Sequence, residues 1–330
     1  MSRLKLAAGA VISVVLLGFL LWTVDLRQLA QSLRRTRWEW TLLSVACGLA
    51  GLWIRARRWR YLFPPGSEPP ALFPAVMIGY MVNNILPLRA GEVVRVYVVA
   101  RRWRRGFWTA LATLIVERVL DSLAIVLILG VLVLLIPVPA IFRWTAATLL
   151  AVDAAAVVAL AFLAAAPAAG RRLLTALTRR WPGLGERLTR VFDRFVLGLA
   201  GIRAPAHLLP LLAWSALVWV APALAAWTML RALDLDLPLV VGWTVLAFVG
   251  MGISIPSAPG YVGVFHYAAV LALEVFGVPR PAALGYAILF HATQFIPVTV
   301  VGWIYLLREQ LTLGEATHAR PADRAGTPLA

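Results

Sequence analysis

The segment Glu117-Arg118-Val119-Leu120-Asp121 stands inside an otherwise apolar run. An ionised group at the centre of a lone membrane helix costs about 2.5–3.5 kcal/mol or more. These side chains therefore need partners. On a helix, Glu117 and Asp121 are four apart and share a face, and Arg118 can pair with Asp121 three positions on. Two readings follow. Either the charges form an internal salt bridge that fixes packing, or they line a path for a polar head group. Glu92 has the same double reading, as an acid at a helix start or as a proton or head-group partner. Asp153 is alone in an Ala-rich stretch, where a protonated carboxyl bonded to a neighbour is expected. His266, His291 and Gln294 also face apolar surroundings. No His-x3-His spacing occurs, so no metal ligand set is expected. No Gly-x4-Gly-Lys loop occurs, so neither ATP hydrolysis nor any cofactor is expected. No set of residues with catalytic spacing is found.

One pattern occurs twice. The first copy is Ile85-Leu86-Pro87-Leu88-Arg89-Ala90-Gly91-Glu92, and the second is Ile255-Pro256-Ser257-Ala258-Pro259-Gly260-Tyr261. In each, a proline is followed four positions on by a glycine, between two apolar runs. Proline forbids a continuous helix and glycine allows a tight reversal. The two prolines, Pro87 and Pro256, lie 169 positions apart, about half the chain. Broken segments at matching places in two halves point to a transporter binding site. Each break opens a new helix, one at Glu92 and one at about Val262. A helix start presents unpaired N–H groups and a partial positive charge. Two such ends at the midplane suit an anion such as a lipid phosphate. Arg89 and Arg95 flank the first end and strengthen it. His266 follows Gly260 by six residues.

The elements that must carry these groups are membrane helices. The chain has 330 residues, 62% hydrophobic and only 14% charged. A soluble domain carries roughly 25% charged residues. Soluble, disordered and collagen-like classes are excluded. The fold class is therefore all-α, a polytopic membrane bundle of about eight spans with re-entrant broken helices in an inverted repeat. Runs near the necessary length of about 20 residues are Leu6 to Val24, Trp40 to Ile54, Phe107 to Ile136, Ile141 to Ala166, His207 to Leu230, Leu237 to Ile255, Val262 to Phe276, and Ala282 to Leu307. The first reads as a retained anchor. Ala71 to Leu88 is shorter and ends in Asn83, Asn84 and Pro87, which suits a helix that enters the membrane and stops. Cys47 is the only cysteine, so no disulfide forms within the chain.

The net charge of +16 sits in clusters between the apolar runs, the pattern of a membrane protein orienting itself rather than of a nucleic-acid binder. Arg171 to Arg203, the longest polar stretch, is placed in the cytoplasm, with both termini on the same side. With Ala71 to Leu88 re-entrant, 23 basic residues face the cytoplasm and 7 face outside. With it spanning, the split is 21 to 9. The re-entrant arrangement is preferred because non-helical backbone at membrane depth must be buried in protein or line a cavity. Arg171 to Arg203 is either a solvated loop or an amphipathic helix held on the membrane surface by anionic lipid. The domain is drawn over residues 1–310, with halves at about 1–166 and 207–310 joined by the loop 167–206. Residues 311–330 form a Gly-, Pro-, Ala- and Thr-rich tail expected to be disordered and cytoplasmic.

Three motifs in order resemble a known family. They are Asn83-Asn84-x-x-Pro87-x-Arg89-x-Gly91-Glu92-x-x-Arg95, then Glu117-Arg118-x-x-Asp121, then Pro256-x-x-Pro259-Gly260-x-x-Gly263. The chain is similar over roughly residues 5 to 310 to the transmembrane region of lysylphosphatidylglycerol synthases, a family that includes free-standing flippase-like proteins. The resemblance implies inverted repeats, a central cavity and lipid translocation between leaflets. It does not imply lysyl transfer, which belongs to a separate acyltransferase domain not expected here. Where the family tends to carry Glu, this chain has His266, a residue type whose ordinary pKa lies nearer neutral pH, so the carboxylate's proton or cation role does not carry over.

The reading is a flippase or scramblase of an anionic or phosphate-linked lipid in a bacterial cytoplasmic membrane. Asn83, Asn84, Arg89, Gly91, Glu92, Arg95, Glu117, Arg118, Asp121, Pro259, Gly260, Gly263 and His266 form its head-group site. Expected partners are membrane lipids, with anionic head groups, and no nucleic acid. Two alternatives are weighed. One is a membrane glycosyltransferase using a polyprenyl-phosphate sugar, with Asp234 and Asp236 holding a metal; helix-end acids are the plainer account of that pair. The other is a scaffold for a lipid-modifying enzyme docked on the arginine-rich loop.

Overall fold

The computed structural model describes residues 34, 36–86, 89–103, 106–136, 140–253 and 258–310. The Leu6 to Val24 anchor, Pro87, Pro256, residues 137–139 and the 311–330 tail lie outside them. The described chain is all helical: α1 (Trp38–Arg60), α2 (Phe73–Ile85), α3 (Ala90–Arg102), α4 (Phe107–Leu135), α5 (Ala140–Ala165), α6 (Pro167–Leu177), α7 (Pro182–Gly198), the single turn α8 (Ala200–Arg203), α9 (Pro205–Ala232), α10 (Val240–Gly252), a 3-10 turn at Pro259–Tyr261, α11 (Val264–Glu274) and α12 (Arg280–Arg308). Among the described residues, four helices are long and apolar enough to cross a membrane: α4, α5 from Arg143, α9 and α12. The protein is an all-α polytopic membrane bundle.

Two pairs of short helices interrupt the long ones. α2 and α3 have 13 residues each, and α10 and α11 have 13 and 11. At 1.5 Å per residue, 13 residues reach only about 20 Å, less than the hydrocarbon thickness of about 30 Å. Each pair packs on itself, α2 on α3 and α10 on α11. α2 also packs on α12, and α1 lies along α9.

Small residues set these crossings, as is usual where lipid supplies no hydrophobic drive between helices. A Cβ on Gly91 would stand 1.8 Å from the Gly79 carbonyl oxygen, so α2 and α3 touch backbone to backbone. A Cβ on Gly51 would meet the Pro222 ring at 3.3 Å, and Ser44 Oγ donates to the Ala225 carbonyl at 2.8 Å, which seats α1 on α9. The apolar core divides in two: one part joins α1 to α4, the other joins α9 to α12 with the far end of α4.

Three sequence expectations change. The run Trp40 to Ile54 is longer as a helix, because α1 continues through Arg60. Arg55 and Arg58 are therefore helical and packed inward, not loop charges. With the inward-packed Arg95, they drop out of the residues counted for orientation. Of the two readings of Arg171 to Arg203, loop or amphipathic helix, the helical one holds, as α6, α7 and α8. The new helices after the two breaks begin at Ala90 and Val264.

Candidate functional site

The acids of α4 are satisfied by arginines from three helices. Asp121 accepts from Arg58 Nη2 at 2.7 Å and from Arg55. Glu117, fully buried, accepts from Arg55 Nη1 at 3.0 Å, from Arg118 Nη2 at 2.6 Å and from Arg95. Arg118 also lies 3.1 Å from Asp121 and 3.6 Å from Glu92. Glu92 lies 3.7 Å from Arg89. Trp59 lies beneath, with the Arg95 guanidinium 4.2 Å over its ring and its Nε1 donating to Thr113 Oγ1 at 2.9 Å. Arg55, Arg58, Arg95 and Arg118 surround Glu117 and Asp121, four positive charges against two, a surplus of two. Adding Arg89 and Glu92 leaves that surplus unchanged. Among the described residues, Arg58 Nε and Nη1, Arg95 Nε and Arg118 Nε are buried without an acceptor.

The tips of the two short-helix pairs meet beside this cluster. Arg89, in a left-handed conformation with φ of 54°, donates from Nη2 to the Ile253 carbonyl at 3.2 Å. Asn84 donates from Nδ2 to Thr299 Oγ1 at 2.9 Å and to the Phe295 carbonyl at 3.3 Å. Asn83 Oδ1 accepts from the Gly91 N–H at 2.8 Å, closing the start of α3. In the second tip Gly260 has φ of 68°, and a Cβ there would meet Phe295 at 2.7 Å and the Asn84 carbonyl oxygen at 3.2 Å. Only glycine permits both that backbone and that approach.

A cavity of about 550 Å³ opens above the cluster. Arg55, Asn84, Arg89, Glu92, Arg118 and Asp121 form its polar wall. Leu149 and Val152 of α5, Val218 and Trp219 of α9, Val249 of α10 and Phe295 of α12 form the apolar one. A pocket of about 90 Å³ lies behind, lined by Gly79, Asn83, Gly91 and Arg95. The two share Tyr80, Asn84, Arg89, Glu92, Arg118, Ile253 and Tyr261. Arg118 is about one third exposed (30%), so it presents charge to the larger space.

Of the residues chosen from sequence, Asn84, Arg89, Glu92, Arg118, Asp121 and Gly260 line the larger cavity, and Asn83, Gly91 and Arg95 the smaller. Glu117 lies underneath, holding the arginines together. Pro259 and Gly263 shape the second tip. His266 is turned away from the cavity. Its Nδ1 accepts from the Gly263 N–H at 3.3 Å and so caps α11. The histidine that faces the cavity is His291, whose Nε2 lies 2.8 Å from the Gly260 carbonyl and must donate to it. Asp153 also lines the cavity, but among the described residues its Oδ2 has no hydrogen-bond partner, unlike the bonded carboxyl expected. Arg55, Arg58 and Tyr80 were not singled out from sequence. The signal for the arginines was the run Arg55-Ala56-Arg57-Arg58-Trp59-Arg60, which has the composition of an orienting loop. Asp234 and Asp236 are exposed at the α9–α10 connection, near Arg37 and Arg231.

The polar wall can hold an anion, and the apolar wall can face acyl chains. The sequence model of the lysylphosphatidylglycerol synthase TM region matches residues 6–302. A UPF0104 membrane protein of Methanothermobacter thermautotrophicus is 28% identical over 151 residues, 43% of this chain and 44% of that protein. The aligned stretch thus spans less than half of that relative. No solved structure matches.

Proposed function

Because the chain belongs to the lysylphosphatidylglycerol synthase TM region family, we propose that it moves a phosphate-bearing lipid between the leaflets of a membrane, as a flippase or scramblase. The observation that carries this reading is a cluster of four arginines on two acids, of which Arg55 and Arg118 reach the polar wall of a cavity whose other wall is apolar. Buried charge without a counter-charge is costly. An incoming phosphate removes that cost and satisfies free guanidinium N–H groups with short, charge-assisted bonds. A cavity of about 550 Å³ falls in the usual range for ligand sites.

In this reading the two short-helix pairs are re-entrant hairpins of an inverted repeat. Their tips carry the starts of α3 and α11 toward the midplane, where helix N–H groups favour an anion. Arg89 and Arg118 meet the phosphate first. Glu117 and Asp121 hold Arg55, Arg58 and Arg95 in place behind them. Acyl chains stay in lipid along α5 and α9. The chain acts as a transporter rather than an enzyme, in a cytoplasmic membrane, with the α6–α8 side facing the cytoplasm.

The test is reconstitution into vesicles with fluorescently tagged phosphatidylglycerol, phosphatidylethanolamine and phosphatidylcholine, followed by chemical quenching of the outer leaflet. Wild type is expected to speed translocation of at least one phospholipid, and Arg118→Gln to lose that gain. Rates equal to protein-free vesicles for every lipid overturn the reading.

A further inference from the structure

The helices α6 and α7 lie outside the transport site and form a hairpin of their own. A Cβ on Gly170 would meet the Phe192 ring at 2.8 Å, and one on Gly185 would meet Thr178 Oγ1 at 2.8 Å, so the two helices close on each other at both ends. α7 then docks on the start of α4. Thr109 Oγ1 donates to the Arg194 carbonyl at 3.0 Å, and Gly198 sits against Thr109 and Ala112.

The apolar stripe of α7 is longer than the surface it covers. Leu184, Leu188, Val191, Phe192 and Phe195 recur at helical spacing. Val191, Phe192 and Phe195 are partly buried, and Phe195 packs into the core built around α4. Leu184 and Leu188 continue the stripe past α4 and stay exposed, as do Trp181 at the turn and Leu173 and Leu177 on α6. Leu177 is 68% exposed and Trp181 59%. On the opposite face of the hairpin runs a polar groove of about 600 Å³, lined by Arg171, Arg179 and Arg190 with Thr175, Thr178 and Thr189; Glu186 and Asp193 also border it. Residues 167–203 hold eight arginines, two acids and no lysine, a net charge of +6. Both ends are tied to apolar helices, since α6 starts two residues after α5 ends and α9 starts two residues after α8 ends.

We propose that the α6–α7 hairpin is an interfacial platform whose occupant is the anionic lipid leaflet beside it. Leu173, Leu177, Trp181, Leu184 and Leu188 sink to the acyl boundary, and the arginines of the hairpin draw that face onto anionic head groups. The short tethers hold the hairpin near one leaflet, and the +6 charge complements anionic head groups. The proposal does not rest on the transport reading. A protein that moves no lipid can still carry this platform.

The experiment uses the full chain with Cys47→Ala and single cysteines Leu177→Cys, Leu184→Cys and, as a polar control, Thr175→Cys. Each is labelled with an environment-sensitive fluorophore in vesicles of phosphatidylcholine alone or mixed with phosphatidylglycerol. In mixed vesicles, spin-labelled lipid is expected to quench the labels at 177 and 184, while aqueous iodide quenches the label at 175. An arginine near an anionic surface favours binding about fivefold. The triple variant Arg171→Gln, Arg179→Gln, Arg190→Gln is therefore expected to lose protection in mixed vesicles and to match wild type in phosphatidylcholine. Iodide quenching at 177 and 184 equal to that at 175 overturns the proposal. So does protection that is the same with and without phosphatidylglycerol, or that arises only on adding soluble extract, which would make the occupant a protein.

Discussion

Arg89 reaches Ile253: the Nη2 of the first donates to the carbonyl of the second at 3.2 Å, across 164 positions of sequence. That bond joins the tip of the α2–α3 pair to the end of α10. It places a cation from one half of the chain on the backbone of the other, at the wall of the cavity. The two halves therefore share one site, and variants on either side should disturb it.

Glu117 is the keystone of the arginine cluster. Replacing it by Ala leaves Arg95 and its neighbours without their shared acceptor, and breaking a buried pair in this way costs about 3–5 kcal/mol. Glu117→Ala is expected to unfold at clearly lower temperature in detergent. Adding Arg95→Met to it should restore part of the loss. Equal melting of wild type and Glu117→Ala would refute the keystone role.

Gly91→Ala is expected to separate α2 from α3. The added methyl would lie 1.8 Å from the Gly79 carbonyl oxygen, which is backbone and cannot swing away. Loss of folded protein, or of any translocation activity, is expected. Gly130→Ala meets nothing within 4 Å and serves as the control that should behave as wild type.

Asn84 is used as a donor, toward Phe295 and Thr299. Asn84→Asp puts an acceptor against the Phe295 carbonyl oxygen, whereas Asn84→Ala only removes a bond. An unmet buried polar group costs about 1–3 kcal/mol. The aspartate variant should therefore melt below the alanine variant, and Thr299→Val should be milder than either. An aspartate variant as stable as wild type would show that the amide does not act as a donor.

Outside the spans, Glu68 lies 3.2 Å from His207 Nε2. Burial pushes its carboxyl up, but the backbone N–H groups of Glu68 and Gly66, with His207 and Arg60, outweigh that and hold it below the usual carboxylate range. A lowered folded value means that the stabilisation is complete above the ordinary carboxylate value. It is lost as pH falls through the lowered one. Wild type should exceed Glu68→Gln in melting temperature near neutral pH, and the two should converge in acid. A gap that does not change with pH would remove this assignment.

Much of the site was legible before any coordinates. Hydropathy and charge require a bilayer, and the cost of ions in lipid requires partners for Glu117 and Asp121. The glycine of the second break was read as permitting a tight reversal, and Gly260 has a positive φ with no room for a Cβ beside Phe295. Local spacing also identified the Arg118–Asp121 pair.

What remained hidden depends on distant contacts. Helical spacing reports only neighbours three or four positions apart. It cannot tell an arginine that orients a loop from one that crosses 62 or 63 positions to reach α4, as Arg55 and Arg58 do. Nor can it tell that His291 rather than His266 faces the cavity, because both lie in apolar stretches. The sequence by itself determined the solvent, the helices and the charges that demand partners. The tertiary structure alone decided which partners they take. Helix crossings decide that, and small residues such as Gly79 and Gly91 set those crossings by letting backbones touch.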